Sequence, residues 1–182
     1  MIKRLYLDHI IRCFLGAAAI SLGTFASKTC PYPILAPLLF AVGILMVMRF
    51  DWHLITRHFP TQPLNKVLTP LIIVCNLLFA YLIGLFSDLT ITPTQDVLYL
   101  FLTSIAGGAV IGLVSLNNLT DHPYKVPIAL LLMYVFVMLG LPHCVVYAFL
   151  NVSLSTLLVV LAGNVVGGLA LRWLDKGCKL NK

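Results

Sequence analysis

The chain has 182 residues, 60% of them hydrophobic and 10% charged, with a mean hydropathy of +1.02. Soluble domains carry roughly a quarter charged residues, so this composition excludes an ordinary globular protein and places the chain in a membrane. Twelve Lys and Arg against six Asp and Glu give a net charge of +6, which membrane topology explains without any nucleic-acid partner.

A bilayer core takes about 20 apolar residues per helix. The hydropathy pattern predicts six spans, at roughly 11–27, 34–56, 67–86, 97–118, 126–150 and 152–174. The loops between them are too short for a soluble domain, so residues 1–182 form a single all-α integral membrane domain.

The first span follows Lys3, Arg4 and Arg12, as a signal peptide does. No small-x-small cleavage site closes it, and it begins FLGAAAISLG at Phe14. The second span, FAVGILMVMRFDWHLITRHF, is apolar up to Met48 and then carries Arg49, Asp51, His53 and Thr56. A continuous helix would leave three ionisable groups in lipid, at several kcal/mol. A break folded into the interior is the cheaper expectation, with Arg49 and Asp51 as a local ion pair. The third span holds VCNLLFAYLIG around Asn76.

The fourth span begins FLTSIAGGAV at Phe101, 87 positions after Phe14. The fifth breaks at Gly140 and Pro142, just before His143, which lies 87 positions after Thr56. The sixth holds AGNVVGGLAL around Asn164, 88 positions after Asn76. Three spans per half make the second half enter the membrane from the opposite side. The chain therefore reads as two inverted three-helix repeats, about 11–86 and 97–174, with broken second and fifth helices. Binding sites of such proteins lie where the helices break. On this reading Thr56 and His143 are symmetry mates that face one another near the midplane. Asn76 reads as an interhelical hydrogen-bond partner. Small residues such as Gly16, Gly107, Gly108, Gly112, Gly163, Gly167 and Gly168 predict close helix packing.

Lys3, Arg4, Arg12, Arg57, Lys66, Lys125, Arg172, Lys176, Lys179 and Lys182 all fall on one side of this scheme. Lys28 falls on the other, and Arg49 lies within the second span. The positive-inside rule puts both termini in the cytoplasm of a cell (inner) membrane. Tyr6, Trp52 and Trp173 read as interfacial anchors. Cys13, Cys30, Cys75, Cys144 and Cys178 form no CxxC and read as small buried hydrophobes. His9, His53, His58 and His122 make no metal-ligand spacing. No nucleophile elbow, P-loop or dinucleotide motif occurs. We therefore expect no enzyme, no metal and no cofactor.

Four motifs in this order resemble the formate/nitrite transporter family, over about Phe14 to Trp173. FLGAAAISLG resembles its first span. LLFAVGILMVMRFDWHLIT resembles its second, ending in a Leu-Phe-Thr loop that is here Leu54-Ile55-Thr56. FVMLGLPH resembles a Phe-Val-x-x-Gly-Phe-Glu-His motif and sets the central histidine at His143. LLVVLAGNVVGG resembles the Gly-Asn-x-x-Gly-Gly of the last span and sets its Asn at Asn164. The chain differs from the family in having Pro142 for the Glu, Tyr147 for an Asn, and no basic residue in the outer loop near Thr92. The resemblance implies an aquaporin-like protomer in a homopentamer. Each protomer would carry a pore for small monovalent anions such as formate, nitrite, hydrosulfide or lactate. It implies an outer constriction at Phe40 and Phe136, an inner one at Leu54 and Ile55, and a polar centre of Thr56, His143 and Asn164. The alternatives are a transporter of another small solute, or a non-transporting membrane subunit whose pore has closed.

Overall fold

The computed structural model describes residues 2–94, 96–116 and 124–180, with backbone alone for 2–5 and 178–180. His122 and Lys182 lie outside the described residues, as do the side chains of Lys3, Arg4, Cys178 and Lys179.

Among the described residues all regular structure is helical. The helices are α1 (Ile2–Thr29), α2 (Ala36–Arg49), α3 (Ile55–Thr61), α4 (Leu68–Gly84), α5 (Val97–Leu116), α6 (Lys125–Met138), α7 (Cys144–Phe149) and α8 (Leu154–Leu180). Three of them hold segments long and apolar enough to cross a membrane: Tyr6–Thr29, Val97–Leu116 and Leu154–Gly177. Large apolar side chains also face outward, among them Leu22, Leu98, Leu131 and Leu154, each at least 65% exposed. Helices apolar on their outer faces fit a lipid solvent, and the chain is a helical membrane protein. α1 runs past its apolar stretch toward the N-terminus, where Arg12 and Asp8 pair at 2.8 Å one turn apart, a spacing that supports an exposed helix.

α1 packs on α2 and α4, α5 packs on α6 and α8, and α2 meets α6 between the two groups. Glycines set the close approaches. A Cβ on Gly107 would come within 2.6 Å of the Pro142 carbonyl, and one on Gly163 within 2.8 Å of the Phe101 carbonyl. Gly16 lies still closer to the His53 carbonyl, and Gly108 to that of Asn164.

The second and fifth predicted spans are each divided in two, and the two divisions are built alike. α6 ends with Gly140 at φ 61°, its N–H bonded to the Val137 carbonyl and the Leu141 N–H to that of Phe136. This is the Schellman stop, which a left-handed glycine allows. α2 ends the same way, with the Trp52 N–H on the Val47 carbonyl and Asp51 in the glycine's place at φ 55°. A left-handed non-glycine residue costs about 1–2 kcal/mol, and Asp tolerates it better than most residues. Each chain then runs extended into a short helix. Leu54 (φ −136°, ψ 135°) precedes α3, and His143 (φ −126°, ψ 123°) precedes α7.

These equivalences correct the expected register. The residue that matches His143 is Leu54, 89 positions away, and not Thr56. In the first helices Gly16 matches Gly107, since each touches the carbonyl two residues before the short helix, His53 before α3 and Pro142 before α7. That spacing is one helical turn longer than the Phe14-to-Phe101 spacing. The second span also buries less than expected. Leu54, Ile55 and Thr56 are each 1% exposed, but the Asp51 side chain is 63% exposed. Asp51 does not pair with Arg49. Its carboxylate takes the Arg57 guanidinium from α3 and lies 3.7 Å from that of Arg12.

Candidate functional site at the two helix breaks

Each short helix starts on an asparagine. The Asn164 Oδ1 accepts the Cys144 N–H at 2.8 Å, and its Nδ2 donates to the Ser104 carbonyl at 2.8 Å and the Pro142 carbonyl at 3.0 Å. The Asn76 Oδ1 accepts the Ile55 N–H at 2.9 Å, and its Nδ2 donates to the carbonyls of Cys13 at 2.9 Å and His53 at 3.1 Å. Both amides are buried. Each ties the first helix of its group to the backbone on both sides of the residue that precedes the short helix. Asn76, expected only as an interhelical partner, makes the same set of bonds as Asn164.

The breaks differ in what caps them. Leu54 offers no side-chain cap to α3. The His143 Nδ1 accepts the Val145 N–H at 3.2 Å and so caps α7. A neutral imidazole that accepts at Nδ1 carries its hydrogen on Nε2. That nitrogen lies 3.1 Å from the Thr56 Oγ1, so the imidazole donates and the hydroxyl accepts. The Thr56 hydroxyl keeps its own hydrogen for another acceptor. His143 and Thr56 are each 1% exposed. The contact expected between them is present, but it joins the cap of one short helix to the second residue of the other.

His143 lines a cavity of about 140 Å³ with Lys28, Phe40, Ile91, Phe136 and Tyr147. That volume holds a few water-sized species. The Phe40 and Phe136 rings stack at 5.9 Å and 7° between planes. Phe136 also stands edge-on to His143, with ring centroids 6.3 Å apart. The cavity is therefore lined by a lysine, two stacked aromatics and a buried imidazole. Thr56, Asn164, Leu54 and Ile55 are buried and do not line it.

No family model matches this chain. No curated protein matches it either.

Sequence reading missed two arrangements beside the α2–α3 break. The His9 Nδ1 and His53 Nε2 lie 2.8 Å apart, so one ring donates to the other. Beside them Asp8, Arg12, Asp51 and Arg57 form a chain of ion pairs. His58 stands apart, with its Nε2 2.9 Å from the Thr69 hydroxyl. Among the described residues no group of three His, Cys, Asp or Glu side chains could hold a metal ion. The spacing of 44 residues between His9 and His53 gives no sequence signal. It becomes a contact only because Gly16 lets α1 press against the break.

Proposed function

We propose that the chain is a membrane channel or transporter for small monovalent anions or their weak acids, of the formate, nitrite and hydrosulfide class. The observation that carries this reading is a buried His143 that lines a cavity with Phe40 and Phe136 and is hydrogen-bonded behind it to Thr56, which does not line the cavity. An isolated ion entering an apolar pore loses tens of kcal/mol of hydration. Sharing a proton with the anion removes most of that cost. In this reading the anion passes the Phe40–Phe136 pair and reaches His143. There it accepts a hydrogen bond from the imidazole Nε2–H or the Thr56 hydroxyl, and the proton that neutralises it enters with it from the aqueous phase. It leaves past Leu54 and Ile55. Asn164 and Asn76 hold the two breaks in place, with their amide hydrogens already committed to the backbone.

The membrane arrangement is part of the same proposal. Six passes form two inverted repeats, α1–α4 and α5–α8, in an aquaporin-like fold. The basic excess faces the cytoplasm, with both termini there, and Lys28 and the cavity mouth face outward. A homopentamer, with one pore per protomer, follows from the family resemblance alone.

Initial uptake into proteoliposomes, with formate, nitrite and hydrosulfide each against glycerol, tests the assignment. Saturable anion flux with no glycerol flux supports it. Glycerol flux with no anion flux would assign the scaffold to a neutral solute. The burial of Leu54 and Ile55 favours a second reading, a non-conducting relative with a sealed inner end, in which none of these solutes moves.

Lys28 supplies the positive charge at the mouth that the outer loop lacks. It is exposed, and it lines the same cavity as His143. Lys28→Gln is expected to lower initial anion flux several-fold at about 0.01 M salt. The loss should shrink toward 0.15 M as the Debye length falls from about 30 to about 8 Å. A salt-independent loss would mean that Lys28 acts by structure and not by field.

A further inference from the structure

We propose that the groove between the ends of α2 and α6 binds the headgroup of an anionic phospholipid in the inner leaflet. The inference rests on the membrane orientation above. α2 and α6 pack side by side and have 14 residues each. Fourteen residues make about 21 Å of helix, against a hydrocarbon core of roughly 30 Å. The pair is too short to reach both boundaries. Arg49 is the last residue of α2, and Lys125 is the first of α6.

Both cations line one open cavity of about 370 Å³, with Leu45, Met48, Val126 and Ala129 as its other walls. No carboxylate lines it. Among the described residues the ion pairs use Arg12 and Arg57, and neither Arg49 nor Lys125 takes part in one. A cation at the edge of hydrocarbon is costly to leave alone, and its long stem lets it reach toward phosphate. Basic pockets between membrane helices on the cytoplasmic side suit anionic headgroups. The guanidinium and ammonium would hold the phosphate, and the four apolar side chains would lie along the acyl chains. A zwitterionic lipid suits the site less, because its own ammonium competes with the two cations.

The test is lipid retention by the purified full chain in mild detergent, read by native mass spectrometry. Phosphatidylglycerol and phosphatidylcholine with the same acyl chains would be titrated, with inorganic phosphate as a soluble competitor. The wild type is expected to prefer phosphatidylglycerol. Arg49→Gln and Lys125→Gln should each weaken its retention about fivefold, and the double variant about thirtyfold. Phosphatidylcholine retention should not change, and Arg49→Lys should recover most of the Arg49→Gln loss. Equal retention of the two lipids by the wild type would overturn the proposal, as would an unchanged double variant. Displacement of the lipid by millimolar phosphate would assign the groove to a soluble anion instead. Lipid selectivity can fail while flux persists, and flux can be absent while lipid is retained, so the two readings fail separately.

Discussion

Asn76→Ala and Asn164→Ala are each expected to destabilise the fold by about 3–4 kcal/mol, and by nearly equal amounts. An average interhelical side-chain hydrogen bond in a membrane protein contributes only about 0.6 kcal/mol. Orphaned backbone groups make the difference here. Removing Asn164 strips the Cys144 N–H and the Pro142 carbonyl of their partner, and removing Asn76 does the same to the Ile55 N–H and the His53 carbonyl. A buried polar group left unpaired costs about 1–3 kcal/mol. The carbonyls of Cys13 and Ser104 lie inside helices and lose less. Thermal unfolding in detergent measures the effect. A loss under 1 kcal/mol for either variant, or a large gap between the two, would contradict the shared role.

On the proposed transport function, Thr56→Val is expected to lower anion flux by about a hundredfold while leaving the protein folded. Valine keeps the shape and removes the only hydrogen-bond partner of the His143 Nε2 seen among the described residues. It also removes the hydroxyl hydrogen that an anion could accept. A buried donor left without its partner costs about 1–3 kcal/mol, and about a hundredfold lies toward the upper end of that range. Thr56→Ser keeps the hydroxyl and should recover most of the flux. A serine variant as slow as the valine variant would show that the methyl group, and not the hydroxyl, is what the site needs. The measurement is initial uptake into proteoliposomes at matched protein content, with unfolding temperature as the control.

Much of this site was legible in the sequence, for physical reasons. Hydropathy marked the helices, because a lipid-facing helix is apolar along its whole length. The breaks were marked by Gly140 and Pro142, and by the cluster Arg49, Asp51 and His53 in an apolar run. The two asparagines were marked by their equal places in the two halves. Phase was the missing information. A helix apolar all round carries no sign of which residue faces which neighbour, so the first-span register was misjudged by one helical turn. For the same reason Leu54 was not recognised as the match of His143. The stop at Asp51 was hidden because a left-handed turn normally shows as Gly or Asn. Its ion pairs with Arg57 and Arg12, and the His9–His53 contact, depend on how rigid helices come together, which local pattern does not encode. Phe40 and Phe136 were placed by family resemblance alone, since aromatic residues in an apolar helix otherwise read as packing. The stacked pair beside His143 gives them a position at the cavity.

The same geometry explains why His143 is the residue to change first. It lines the cavity, it caps α7, and among the described residues it alone joins the two breaks through a side-chain hydrogen bond, to Thr56. Loss of the cap costs about 1 kcal/mol, too little to unfold a packed membrane domain. The deciding measurement is therefore stopped-flow flux of formate, nitrite and hydrosulfide in proteoliposomes from about pH 5 to about pH 8. Wild type and His143→Ala would be compared at equal reconstitution. The account predicts pH-dependent flux of at least one anion in the wild type and its loss in the variant. Equal flux with the same pH profile in both would contradict it, and His143 would then be a capping residue and nothing more.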